Sequence, residues 1–95
     1  MIKIDIKKDK IIISGHSGYS EYGSDIVCAS VSSIAITSIN SILKYDEDAL
    51  KYIKEDGYLE VDILKHDKFI DLLIENMKEL LEDLENDYKD YVKLI

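Results

Sequence analysis

Between Ile26 and Leu43 the chain runs for 18 residues without a charge, in a sequence where 34% of residues are Asp, Glu or Lys. A run of that length approaches the roughly 20 apolar residues that cross a bilayer. Seven of its residues, however, are Ser, Thr or Asn, which suits a helix surrounded by protein better than one surrounded by lipid. The expectation is therefore a buried helix and no membrane partner. A chain of 95 residues can build only one core, so residues 1–95 are expected to form a single domain. Small residues on several sides of the run imply cover all round, from a sheet and from a second helix or subunit.

The flanking sequence supplies that sheet. Ile2, Ile4 and Ile6 alternate with Lys3, Asp5 and Lys7, the period of a half-buried strand. Lys8-Asp9-Lys10 turns the chain, and Ile11 to His16 is a second strand with Ile11, Ile13 and Gly15 on one face. Residues 15–23 hold three of the four glycines, Gly15, Gly18 and Gly23, and no apolar period, so they form a loop. Ser24-Asp25 supplies the cap of the uncharged helix, which should reach about Lys44. Leu50 to Lys54, the Asp56-Gly57 turn and Tyr58 to Leu64 read as a second hairpin, with Leu59, Val61 and Ile63 inward. Asp67 caps a second helix whose apolar positions are Phe69, Leu72, Leu73, Met77, Leu80, Leu81 and Leu84. Tyr88 to Ile95 completes the pattern as a last strand. The expected fold is α+β, in the order ββαββαβ, with two helices packed on a mostly antiparallel sheet.

Twelve Lys, no Arg and twenty Asp plus Glu leave a net charge of −8. Such a chain repels nucleic acid and anionic lipid and attracts cationic partners. The signal is diluted because residues 67–90 alone carry nine acids and three Lys, the composition of one solvated helix face. The single Cys cannot form an internal disulfide, and Met1 to Lys8 lacks the apolar stretch of a signal peptide, so a cytoplasmic location is expected.

Few residues can carry chemistry. Cys28 falls in the first turn of the uncharged helix, where the helix dipole and unpaired amides favour a thiolate and can hold an oxyanion. His16 closes the second strand, and one loop joins it to that helix, so the two side chains can meet as nucleophile and proton carrier. The alternative is a small buried thiol beside a strand-end histidine. His66 precedes a helix cap and reads as structural. Two His and one Cys without paired carboxylate spacing give no metal site, and nothing calls for another cofactor. Redox sensing by Cys28 lacks a resolving cysteine.

Residues 15–32 read Gly-His-Ser-Gly-Tyr-Ser-Glu-Tyr-Gly-Ser-Asp-Ile-Val-Cys-Ala-Ser-Val-Ser. They closely resemble the signature of the ribosomal-processing cysteine protease family, Prp: Gly-His-x-Gly-Tyr, then Gly-x-Asp-Ile-Val-Cys-Ala-x-Val-Ser, without a gap. Length and element order are similar along the whole chain. The resemblance implies a cytoplasmic, homodimeric cysteine endopeptidase. Its substrate would be the precursor of the large-subunit ribosomal protein numbered twenty-seven, from which it removes a short N-terminal extension. That extension ends in aromatic residues, with small and basic residues after the cut. On this resemblance Cys28 is the nucleophile and His16 the general base or ion-pair partner. Asp25 either orients His16 or caps the helix, and Ser32 either hydrogen-bonds the thiolate or packs. Gly15, Gly18 and Gly23 let residues 17–23 close as a lid. Tyr19 and Tyr22 either meet the substrate's aromatic residues or anchor the loop, and acids such as Glu21 and Asp25 attract the basic ones. The competing function is a non-catalytic homodimeric peptide-binding module of the same fold.

Overall fold

The computed structural model describes residues 1–21 and 25–95. Its elements follow the expected order: β1 (Ile2–Ile6), β2 (Lys10–Ser14), α1 (Ile26–Tyr45), β3 (Leu50–Glu55), β4 (Tyr58–Ile63), α2 (Lys68–Asp87) and β5 (Val92–Leu94). In space the strands lie β3-β4-β2-β1-β5. Only β1 and β5 run parallel; the other three pairings are antiparallel. The sheet is thus mixed and mostly antiparallel, with both helices packed on it.

Register follows from the alternation. Ile4 pairs with Ile13, and Ile11 with Val61, so that Ile2, Ile4, Ile11, Ile13, Leu59, Val61 and Ile63 enter one core. The opposite face carries charge, and Lys10 spans Glu60 and Asp62 at 3.8 and 3.3 Å. Such a two-faced sheet cannot slip by one residue without putting those charges into the core.

Two expectations need correction, for α2 and for the last strand. α1 buries Val27, Val31, Ala35, Ile39 and Ile42, a single stripe at helical spacing, which is the part of its expected cover that one chain supplies. Ile26, Ala29, Ser32, Ser33, Thr37 and Asn40 face solvent in the single chain, because the sheet and α2 fill only part of its circumference. On α2 the inward ridge is Ile70, Met77 and Leu81, flanked by Leu73, Ile74 and Leu84. Phe69, Leu72 and Leu80 are exposed, since the α2 ridge starts one residue later than the pattern suggested. Phe69 instead packs on Tyr45 at the end of α1, ring centroids 4.6 Å apart. The last strand is shorter than expected. The Tyr88 amide still donates to the Leu84 and Glu85 carbonyls, capping α2, and Tyr91 donates to Tyr88 in a turn before β5 begins.

His66 is a clamp. Its Nδ1 lies 2.6 Å from Asp71 in the first turn of α2, and its Nε2 lies 2.7 Å from Asp9 in the β1–β2 turn. The hydrogen bonds to Asp71 and then Asp9 raise the imidazole above its usual value of 6.5, against a smaller opposing effect of burial. A histidine whose folded value is raised contributes stability in full below its unfolded value, and loses that contribution as pH rises through the folded one. Denaturation midpoints of the wild type and His66→Gln should therefore differ most near pH 5 and converge at alkaline pH, above the raised folded value. A gap independent of pH would show that the charge on His66 is irrelevant to the clamp.

Candidate active site

The site is the seam where β2 ends and α1 begins. β2 delivers residues 15–17 to one end of the sheet, and their course is set by contacts with three other segments. The Gly15 amide donates to the Gly57 carbonyl at 2.8 Å, which binds the strand end to the β3–β4 turn. The amino group of Met1 donates to the His16 carbonyl at 2.6 Å. Gly15 has φ +96°, and a Cβ there would run into the Met1 carbonyl, so this crossing of chains needs glycine.

From the other side α1 begins with a sharp cap. Asp25 has extended backbone, and its Oδ1 accepts from the amides of Val27 and Cys28, both at 3.0 Å. Its Oδ2 accepts the Ser17 hydroxyl. Burial opposes ionisation of this carboxyl, but donors from the Ser17 hydroxyl and the Cys28, Ser20 and Val27 amides outweigh it and hold the group down at about 2. Of the alternatives for Asp25, the structure displays the helix cap. Cys28, the third residue of α1, is half-buried, and its Sγ accepts from the Ser17 amide at 3.3 Å. The helix dipole and the Ser17 amide converge on one sulfur, while the cap holds the backbone that carries it.

The His16 ring lies over the β3–β4 turn, with Nε2 3.9 Å from the Asp56 carboxylate. A Cβ on Gly57 would sit 2.7 Å from that nitrogen, so the Asp-Gly dipeptide makes the turn and also leaves room for the imidazole. Ser32, one turn beyond Cys28, is exposed. Tyr19 packs edge-on against Tyr91 and Tyr88, with centroids 5.1 and 5.7 Å apart. It therefore anchors its own loop to the segment before β5. Gly18 turns the chain between Ser17 and Tyr19 at φ +74°. Tyr22 and Gly23 lie outside the described residues, as does Ser24. No cluster of three or more His, Cys, Asp or Glu side chains suited to a metal occurs among the described residues.

A family model, cysteine protease Prp, matches residues 1–93. The chain belongs to the Prp cysteine protease family. The ribosomal processing cysteine protease Prp of Bacillus subtilis is 35% identical over 108 residues, covering 99% of this chain and 96% of that one. Its counterpart from Staphylococcus aureus is 28% identical over 103 residues, covering 99% and 97%. A solved structure of the S. aureus protease with a covalently linked product peptide superimposes with a TM-score of 0.91 at 25% identity, covering 99% and 97%. SMU.848 from Streptococcus mutans gives a TM-score of 0.75 at 25% identity, covering 98% and 89%. The chain is accordingly a cysteine protease, and the resemblance read from residues 15–32 holds for the whole fold.

Several residues of this Prp site escaped the sequence. Ser17 was visible only as the open place in Gly-His-x-Gly-Tyr. Asp56 and Gly57 were legible as a turn, with no signal that His16 would rest on it. Tyr88 and Tyr91 were assigned to a strand, although aromatic residues beside a helix end were a hint of packing.

The two glycines should fail in different ways when given a methyl group. Gly15→Ala must move the N-terminal strand and adopt a strained φ, costing about 1 to 3 kcal/mol in urea denaturation. Gly57→Ala meets a similar backbone strain, at φ +68°, and in addition drives the His16 ring aside, so beyond its cost in stability it should slow peptide cleavage roughly 10- to 100-fold. Full activity in Gly57→Ala would remove the turn from the placement of His16.

Proposed function

We propose that this Prp protease cleaves an N-terminal extension from the precursor of the large-subunit ribosomal protein numbered twenty-seven, with Cys28 as nucleophile and His16 as its proton partner. The observation that carries this reading is the placement of the Cys28 sulfur. It sits in the first turn of α1, accepts a hydrogen bond from the Ser17 amide, and follows a loop that begins beside His16. A pure peptide-binding module has no need of a thiol so placed.

In the proposed reaction the Cys28 thiolate attacks the scissile carbonyl, and negative charge develops on the carbonyl oxygen at the positive end of the α1 dipole, where the Val27 and Cys28 amides are already engaged by Asp25. Collapse forms a thioester and breaks the C–N bond, the departing amine taking a proton from the His16 imidazolium. Water, deprotonated by His16, then releases the new carboxylate and restores the thiol. The net charge of −8 suits a substrate with basic residues beyond the cut. A homodimer in the cytoplasm completes the proposal. The solvent-facing side of α1, apolar at Ile26 and small at Ala29 and Ser33, supports a subunit contact, and a single unpaired cysteine suits a reducing compartment.

Incubation with a peptide spanning the processing site, with products read by mass spectrometry, tests the proposal. Cys28→Ser should abolish cleavage while leaving the circular dichroism spectrum intact. His16→Ala should reduce turnover by about 10² to 10⁴. Tight peptide binding without any product would instead identify a non-catalytic module, and full activity of Cys28→Ser would refute the nucleophile.

A further inference from the structure

Ser17 is the one buried polar residue among those described, 3% exposed. Its groups are fully engaged. The hydroxyl donates to Asp25 Oδ2 and accepts from the Tyr19 amide at 3.1 Å, while its own amide donates to Cys28 Sγ at 3.3 Å. Asp25 Oδ1 in turn accepts from the Cys28 amide at 3.0 Å. Three of these bonds close a ring that starts at the Cys28 backbone, passes through Asp25 and Ser17, and returns to the Cys28 sulfur, with the Tyr19 amide attached as a branch. Nothing in the motif demands a hydroxyl at this place, because the family pattern leaves the residue after His16 open.

We infer that Ser17 is a positioning residue for the protease reaction: its hydroxyl, anchored on the Asp25 carboxylate, aims its own backbone N–H at the Cys28 sulfur. The inference rests on Cys28 being the nucleophile. An amide held at that distance stabilises a thiolate more than a thiol, since a hydrogen bond to a charged acceptor is roughly twice as strong as one between neutral groups. The direction of the amide depends on the peptide plane between His16 and Ser17, which is held at its carbonyl by the Met1 amino group at 2.6 Å and on the Ser17 side by the hydroxyl's bond to Asp25. The Asp25 carboxylate, held at about 2, remains an ionised acceptor throughout the working pH range and never competes as a donor. Because the plane begins at His16, the same anchor holds the backbone from which the imidazole projects.

Without the hydroxyl, Asp25 Oδ2 loses its side-chain donor, the Tyr19 amide loses its acceptor, and the aim of the Ser17 amide at the sulfur loses one of its two holds, keeping only the Met1 bond to the His16 carbonyl. The core is untouched, so the fold should survive. Ser17→Ala and Ser17→Thr separate the hydroxyl from the volume of the side chain, the threonine keeping the donor.

Alkylation by iodoacetamide reports the thiolate directly, and Cys28 is the only thiol in the chain, so intact mass follows it without reference to cleavage. Ser17→Ala should alkylate about tenfold more slowly at neutral pH, with the rate–pH profile displaced to the alkaline side by roughly one unit. Its kcat for the processing-site peptide should fall by a similar factor with KM little changed, and Ser17→Thr should recover both. An unchanged alkylation profile in Ser17→Ala, a change confined to KM, or a threonine variant no better than alanine would each overturn the inference. Cleavage by Cys28→Ser would be a separate failure, that of the nucleophile, and the alkylation profiles would still decide whether Ser17 aims its amide at the sulfur.

Discussion

Everything at this site hangs on one carboxylate. Asp25 accepts the first free amides of α1 with one oxygen and the hydroxyl of a residue from the end of β2 with the other. The helix direction is independently fixed by the Val27, Val31 and Ala35 stripe in the core, and the strand direction by its ladders to β1 and β4. Two independently fixed elements therefore meet at a joint that Asp25 and Ser17 hold together. Burial at the joint costs the carboxylate hydration, and the donors around it more than make up the loss. A neutral residue at position 25 could cap the helix and still leave the Ser17 hydroxyl without an ionised acceptor.

The fold was legible because its signals are local. Ile2, Ile4 and Ile6 declare a strand by alternation, and Asp56-Gly57 declares a hairpin by turn chemistry. Asp67 declares a helix start, and its side chain indeed accepts from the Ile70 amide. Misjudged elements are those decided by tertiary context. Phe69 is as apolar as Ile70, and only the tilt of α2 on the sheet decides which of the two is buried. Which side of α1 the sheet takes is hidden for a related reason: alanine and serine are as compatible with a solvent-facing side as with a closely packed one. Composition cannot tell the two apart.

Site residues divide along the same line. His16, Cys28 and Asp25 stood out because their types are scarce or their spacing is helical. Ser17 and Gly57 did not, because serine and glycine in a loop are ordinary. Their importance arises from what lies opposite in space, a sulfur 11 residues on for Ser17 and an imidazole from another strand for Gly57. Long-range partners leave no mark on a single sequence. A family motif partly fills the gap by flagging neighbours, yet it is blind at its own open positions, and position 17 is one of them.

Pinning the first half of the loop changes how a lid could work. Closure beginning at Ser17 would break its bonds to Asp25 and Cys28, and moving Tyr19 would undo two ring contacts on Tyr88 and Tyr91. Each of those contacts is modest, about 0.5 to 1.5 kcal/mol for an aromatic pair and more for a hydrogen bond to an ionised group. Together they make motion of this half costly in a domain of 95 residues, whose whole stability is only about 5 to 15 kcal/mol. Residues 17–19 are thus held in place in the free chain, with the Cys28 sulfur already bonded to its donor. On the proposed role of Cys28, this is the arrangement electrostatic catalysis requires, since a dipole already oriented needs no reorganisation when charge gathers on the sulfur.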